Sequence, residues 1–141
     1  MANWPEGYPD AAVNAKIRRI FEDHAAAIRA AQSEDGRWHQ LVNDTRSYLE
    51  TSVTAMALTA LARGVRAGLL ARSEYAPVIE RAWAGLVRAT LPNGTVTGVS
   101  CGLGIQASKE AYYNRSSFYQ CSGPGGAGAV FYAAVELAKG Y

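Results

Sequence analysis

Twelve consecutive residues between Glu50 and Arg63 carry no charge: Thr51, Ser52, Val53, Thr54, Ala55, Met56, Ala57, Leu58, Thr59, Ala60, Leu61 and Ala62. Small and apolar side chains occupy every face of the helix this run would form. A helix without a wet face has to be enclosed by neighbours. The spacing predicts that helix over residues 47–63, with Gly64 as the residue that ends it. A second run of the same kind, residues 126–139, has Glu136 as its only charge before Lys139.

The remaining helical segments are one-sided. Over residues 10–31, opened by Pro9 and Asp10, Val13, Ile17, Ile20, Phe21, His24 and Ile28 recur at helical spacing, while Asn14, Arg18, Arg19, Glu22 and Asp23 fall elsewhere on the wheel. His24 on that stripe reads as a satisfied core histidine. Residues 73–90 repeat the pattern: Val78, Ala82, Leu86 and Ala89 face inward, and Pro77 suits a first turn. Asp35-Gly36 and Asn93-Gly94 are turn signals. Residues 38–42 read as a short extended stretch. Residues 93–126, rich in Gly, Ser and Tyr, read as a long irregular segment with short strands around 95–99, and loops of that length are usually functional.

The order is therefore amphipathic, buried, amphipathic, buried. Each amphipathic helix leads through an Asp-Gly or Asn-Gly turn and a loop into a small-residue helix ending in Ala-Arg-Gly or Ala-Lys-Gly. Repeated helical pairs point to a solenoid or toroid. A four-helix bundle would make all four helices similarly amphipathic. The expected fold is all-α: a single domain over residues 1–141, forming part of an α/α toroid with outer amphipathic and inner buried helices.

Charge narrows the partners. With 14 basic and 12 acidic residues and no basic stripe, nucleic acid is excluded as a partner. No stretch is long and uncharged enough to span a bilayer. Met1-Ala2-Asn3-Trp4-Pro5 lacks the apolar core of a secretory signal, so the expected compartment is cytoplasmic. His39 has no second His or Cys at ligand spacing; neither a metal nor a cofactor is expected. Cys101 and Cys121 read as two free thiols, with a bridge as the alternative. Only 18% of residues are charged, and two hairpins of an open toroid expose the sides of their inner helices. Self-association is expected, as a two-fold dimer, with a ring of three copies as the alternative.

Specific residues then carry a resemblance. The run Asp35-Gly36-Arg37-Trp38-His39-Gln40, the run Tyr48-Leu49-Glu50-Thr51-Ser52-Val53-Thr54-Ala55-Met56 and the run Ala62-Arg63-Gly64-Val65-Arg66-Ala67-Gly68 resemble the unsaturated rhamnogalacturonyl and glucuronyl hydrolases of glycoside hydrolase families 105 and 88. So do Gly98-Val99-Ser100-Cys101-Gly102-Leu103-Gly104, Tyr112-Tyr113 and Gly126-Ala127-Gly128-Ala129-Val130 through Glu136. The resemblance covers most of the chain, in order. It implies a barrel of six helical hairpins, of which this chain supplies about two. It also implies removal of an unsaturated uronic sugar from the non-reducing end of lyase products. In that chemistry an aspartate protonates the vinyl ether double bond and water is added, which differs from both ordinary glycosidase schemes. The resemblance places the key aspartates in earlier hairpins that have no counterpart here, so no catalytic residue is assigned and the chain alone is expected to be inactive. The closing segment, Cys121-Ser122-Gly123-Pro124-Gly125-Gly126, lacks the Asp-x-His/Lys-Gly pattern common at that point in the family.

An oligosaccharide is thus the expected partner, and six residues are candidates for binding it. Trp38 can stack on a sugar ring or close the hydrophobic end of a helix pair. Glu50 and Ser52 can face the barrel mouth, or Glu50 can satisfy the first-turn N–H groups of its helix. Tyr113, Arg115 and Tyr119, with Tyr112, put aromatic rings and a guanidinium into the long loop, a combination suited to a uronate; a packed loop over the barrel end is the alternative. Residues 123–128 offer either backbone N–H groups to an anion or tight packing of loop on helix. Asp35 reads as a turn residue. Two rival functions remain: a non-catalytic carbohydrate-binding module and a helical-repeat interaction module.

Overall fold

The computed structural model describes residues 10–100, 104–113 and 124–141. They form five helices and one two-residue ribbon: α1 (Ala11–Ala30), β1 (Trp38–His39), β2 (Leu49–Glu50), α2 (Thr51–Arg66), α3 (Arg72–Ala89), α4 (Lys109–Tyr113) and α5 (Pro124–Ala138). The chain is mostly helical, with little sheet. β1 and β2 pair antiparallel, with Trp38 opposite Glu50 and His39 opposite Leu49. An isolated bridge joins Thr90 to Val96.

Helix α2 is the centre, packed against α3 on one side and α5 on the other. A short connection turns the chain back into α3, so those two run antiparallel. At the start of α2, Glu50 accepts from the Ser100 N–H at 2.9 Å, and the neighbouring Val99 lies against Gly126 at the start of α5. At the other end, Arg63 of α2 reaches Glu136 of α5 at 2.8 Å. The two helices therefore run in the same direction. Helix α1 and the segment after it run alongside α3: Arg29 pairs with Glu74 at 2.6 Å, Gln32 donates to the Val78 carbonyl at 2.9 Å, and Gly36 lies against the Arg81 carbonyl. Helix α2 thus lies between α3 and α5, and α1 joins this group through side chains such as Phe21 against Gly64 and Arg29 against Glu74.

Local sequence explains the starts of α1 and α2. Asp10 caps α1, accepting from the N–H groups of Ala12 and Val13 at 3.0 Å each. Glu50 caps α2 through Ser52 and Val53. The core joins Leu58, Leu61 and Val65 of α2 to Tyr75, Val78, Ile79, Ala82 and Leu86 of α3, with Trp38, Ala25 and Ala133 filling in from the other elements. Burial of each large aliphatic side chain contributes about 1.5–3 kcal/mol.

Several expectations are corrected. Neither α2 nor α5 is buried all round: Met56 is 57% exposed, Phe131 68% and Tyr132 64%. Each inner helix keeps a bare flank among the described residues. Helix α2 begins at Thr51, since Leu49 and Glu50 are held in the ribbon, and it continues through Gly64 to Arg66. Gly64 does not end the helix. Its missing side chain admits Phe21 and Leu70, whose atoms would lie 2.8 Å from a Cβ there. Pro77 sits in the second turn of α3. On α1 the inward stripe is Ala25, which is buried, with Ile17, Phe21 and Ile28 half-buried, whereas Val13, Ile20 and His24 are exposed, so His24 is no core histidine. The irregular segment after α3 contains α4.

Candidate functional site

The loops gather at the end where α2 and α5 begin. The chain from 95 to 100 lies across the start of α2: the Thr51 N–H donates to the Gly98 carbonyl at 2.8 Å and the Thr51 hydroxyl to the Thr97 carbonyl at 2.6 Å. Glu50, 3% exposed, is saturated at this junction. Its carboxylate accepts from the Ser52 N–H at 3.2 Å, the Val53 N–H at 2.5 Å, the Ser100 N–H at 2.9 Å and the Ser52 hydroxyl at 2.9 Å. Glu50 thereby ties the 95–100 segment to α2, and Ser52 spends its hydroxyl on the same carboxylate. The capping alternative for Glu50 is what the geometry supports.

Trp38 is 1% exposed. Its indole N–H donates to the Ile28 carbonyl at 2.7 Å and its backbone N–H to the Thr54 hydroxyl at 3.1 Å. It presents no free ring face to a sugar; it closes the space between α1 and α2. Asp35 is a turn residue. It holds Arg37 at 2.5 Å and also meets Arg88, which docks the turn on α3.

Tyr113 lies elsewhere, in a charged cluster. Asp44, 8% exposed, is forked by Arg46, with Nε to Oδ1 at 3.0 Å and Nη2 to Oδ2 at 2.8 Å. The Tyr113 hydroxyl donates to the same carboxylate and accepts from Arg46 Nη2 at 2.7 Å. The guanidinium also lies 4.6 Å from the centroid of the Tyr113 ring. Lys109 approaches Asp44 at 3.7 Å. Hydrogen bonds from Arg46 and Tyr113 hold the Asp44 carboxyl well below the usual carboxylate range. Burial, then the hydrogen bond to Asp44, pushes the Tyr113 phenol up. Asp44 and Arg46 escaped the sequence reading, because an Asp-x-Arg in a polar loop looks like ordinary solvated charge. Arg115, Tyr119, Cys101 and Cys121 lie outside the described residues, as does Gly123 of the 123–128 anion site, whose remaining residues open α5.

The opposite end holds a second cluster. Glu136, 1% exposed, receives Arg63 at 2.8 Å, Lys139 at 2.9 Å and Arg66. Those bonds hold its carboxyl well below the usual range. Beside it, Ile17, Phe21, Met56, Ala60, Ala129 and Tyr132 line an open groove of about 1150 Å³. Among the described residues, no group of three or more His, Cys, Asp or Glu side chains could hold a metal ion, and no helix is long and apolar enough to cross a membrane.

Comparison with known proteins agrees with the resemblance. The chain is 30% identical over 136 residues to an unsaturated 3S-rhamnoglycuronyl hydrolase of Alteromonas sp., covering 94% of this chain and 30% of that protein. It is 29% identical over 93 residues to an unsaturated rhamnogalacturonyl hydrolase of Bacillus subtilis, covering 65% of this chain and 25% of that one. Among solved structures, a possible member of the GH105 family from Salmonella enterica superposes with a TM-score of 0.85 at 29% identity, over 99% of this chain and 35% of its own. Another, from Klebsiella pneumoniae, gives 0.76 at 25% identity, over 98% and 35%. The chain thus spans between a quarter and about a third of the length of these relatives. Residues 9–141 match Glycosyl Hydrolase Family 88 along almost their whole length, and the chain belongs to that family.

Proposed function

We propose that the chain forms part of a sugar pocket for unsaturated uronyl oligosaccharides, and that it does not turn them over by itself. The two helical pairs would occupy two of six hairpins in a toroid, with the loop-bearing end of α2 and α5 at the sugar. Tyr113 is the described residue best placed for contact, since Arg46 takes up one ring face and the side chain stays half-buried. Arg115 and Tyr119 follow it in sequence and are assigned to the same pocket, with Arg115 on the uronate carboxylate.

One observation carries the inactivity. A general acid has to hold its proton near the working pH, which requires a raised carboxyl pKa. The most strongly shifted carboxylates among the described residues are arranged the other way: Asp44 and Glu136 are held ionised by guanidinium groups. Neither is free to protonate a vinyl ether.

The test is to incubate the chain with an unsaturated rhamnogalacturonyl disaccharide, following its ultraviolet absorbance and measuring binding by calorimetry. Saturable binding with unchanged absorbance is expected. Loss of absorbance at an enzymatic rate removes the inactivity, and absence of any binding removes the sugar pocket. A second reading, a helical interaction module that pairs with a second copy of itself, is favoured by the groove and by the bare flanks at Met56, Phe131 and Tyr132.

A further inference from the structure

We infer that Asp44 is a positioning residue, which latches the 104–113 segment to the body of the fold and sets the orientation of Tyr113. The assignment rests on the reading of Tyr113 as a sugar-contacting ring, and its test is chosen so that the two can fail separately.

Asp44 is itself fixed by its own loop. Its N–H donates to the Leu41 carbonyl at 2.8 Å; its carbonyl accepts from the Ser47 N–H at 3.1 Å and the Ser47 hydroxyl at 2.8 Å. Oδ1 accepts from the Arg46 N–H at 3.1 Å. The carboxylate therefore has little freedom to turn. The other side of the latch is held far less. Ile105 is 98% exposed, and α4 buries none of its residues. Within the segment, the Gln106 N–H donates to the Tyr112 hydroxyl at 3.2 Å and the Gln106 side chain to the Gly104 carbonyl at 2.7 Å, so these bonds stay local. Among the described residues, the hydrogen bonds and ion pairs that tie 104–113 to the rest of the chain converge on Asp44 and Arg46.

The chemistry of the junction explains why a carboxylate is needed. An ionised Asp44 accepts from Tyr113 and Arg46 together, and charge-assisted bonds are shorter and stronger than neutral ones. Arg46 then bridges the pair, bonding the phenol oxygen while its guanidinium plane covers the ring. An amide at 44 would keep one acceptor and place an NH₂ against either the guanidinium or the phenol. The 104–113 segment, with no fully buried residue among those of α4, would lose most of what holds it.

The test compares Asp44→Asn, Asp44→Glu, Tyr113→Phe and the double variant Asp44→Asn/Tyr113→Phe, with two readouts on each. Amide hydrogen exchange is followed by mass spectrometry without sugar. The expected result is exchange across 104–113 faster by roughly tenfold in Asp44→Asn and in Tyr113→Phe, unchanged protection over 51–66, and no further gain in the double variant. Asp44→Glu restores part of the protection. Unchanged exchange in Tyr113→Phe, or multiplied effects in the double variant, overturns the latch; Tyr113→Phe carries this arm even if Asp44→Asn disturbs the 41–47 turn. The second readout is the dissociation constant for the unsaturated disaccharide. Weakening by the same factor in Asp44→Asn and Tyr113→Phe supports positioning. Faster exchange with unaltered sugar affinity overturns the positioning role and removes Tyr113 from the pocket.

Discussion

The indole of Trp38 reaches back across ten residues to the carbonyl of Ile28, at 2.7 Å, and joins the last turn of α1 to the ribbon that precedes α2. That carbonyl also accepts from the Ala31 N–H at 3.2 Å, so the indole adds a second and shorter bond at the end of the helix.

Replacing Trp38 separates its structural role from any sugar contact. Trp38→Ala is expected to cost about 3–5 kcal/mol, as for other buried aromatic truncations. Trp38→Phe keeps most of the volume but removes the indole donor while the Ile28 carbonyl keeps its bond from the Ala31 N–H, costing roughly 0.5–1.5 kcal/mol for the bond. Urea unfolding monitored by circular dichroism measures both. Stability unchanged in Trp38→Ala would contradict the burial described above.

Gly36 combines two constraints. Its φ is +90°, and a Cβ there would stand 2.1 Å from the Arg81 carbonyl oxygen, a backbone atom that cannot step aside. Gly36→Ala is expected to destabilise by roughly 2–5 kcal/mol, combining backbone strain with overpacking. The same unfolding measurement checks it, and a loss below that range means the turn can lift away from α3.

Acid should loosen the far end of the α2–α5 pair. The folded-state pKa of Glu136 lies below its ordinary value of 4.5, so folding favours the ionised form. Its contribution is complete above the ordinary value and is lost as the pH falls through the folded one. Glu136→Gln is expected to be less stable at pH 7 and to show a flatter dependence of melting temperature on pH below 4.5. Parallel curves for the two proteins would show that Glu136 does not carry the acid response. Asp44 adds a loss of the same sign at the loop end.

Met56 stands on the bare flank of α2, lining the groove together with Tyr132. The chain is expected to dimerise through this surface, and Met56→Glu to return it to a monomer by placing a charge where apolar contact is needed. Light scattering on both proteins decides this; a monomeric parent at high concentration ends the dimer proposal.

Sequence determined the elements whose causes are local. The uncharged run 51–62, the one-sided stripe of residues 73–90 and the Asp35-Gly36 and Asn93-Gly94 turns all report on neighbours within a turn or two of chain, which is why they are visible in periodicity. The runs around Trp38, Glu50 and Gly126 were also enough to indicate the family. Tertiary structure decided the rest. A helical wheel gives the same weight to Ile20 and Ile28, yet only Ile28 meets the core, and His24 ends in solvent. Lack of charge was read as burial on all sides, but composition reports what a face tolerates, and neighbours decide whether it is covered; Met56 and Tyr132 are the result. Gly64 looked like a helix end because a glycine's meaning depends on what approaches it, here Phe21 from 43 positions earlier. Asp44 and Tyr113, 69 residues apart, and Glu136 and Arg66, 70 apart, meet only because the tertiary fold brings distant stretches of chain together. No pattern along the chain states which carboxylate will face which cation, since that choice belongs to the packing.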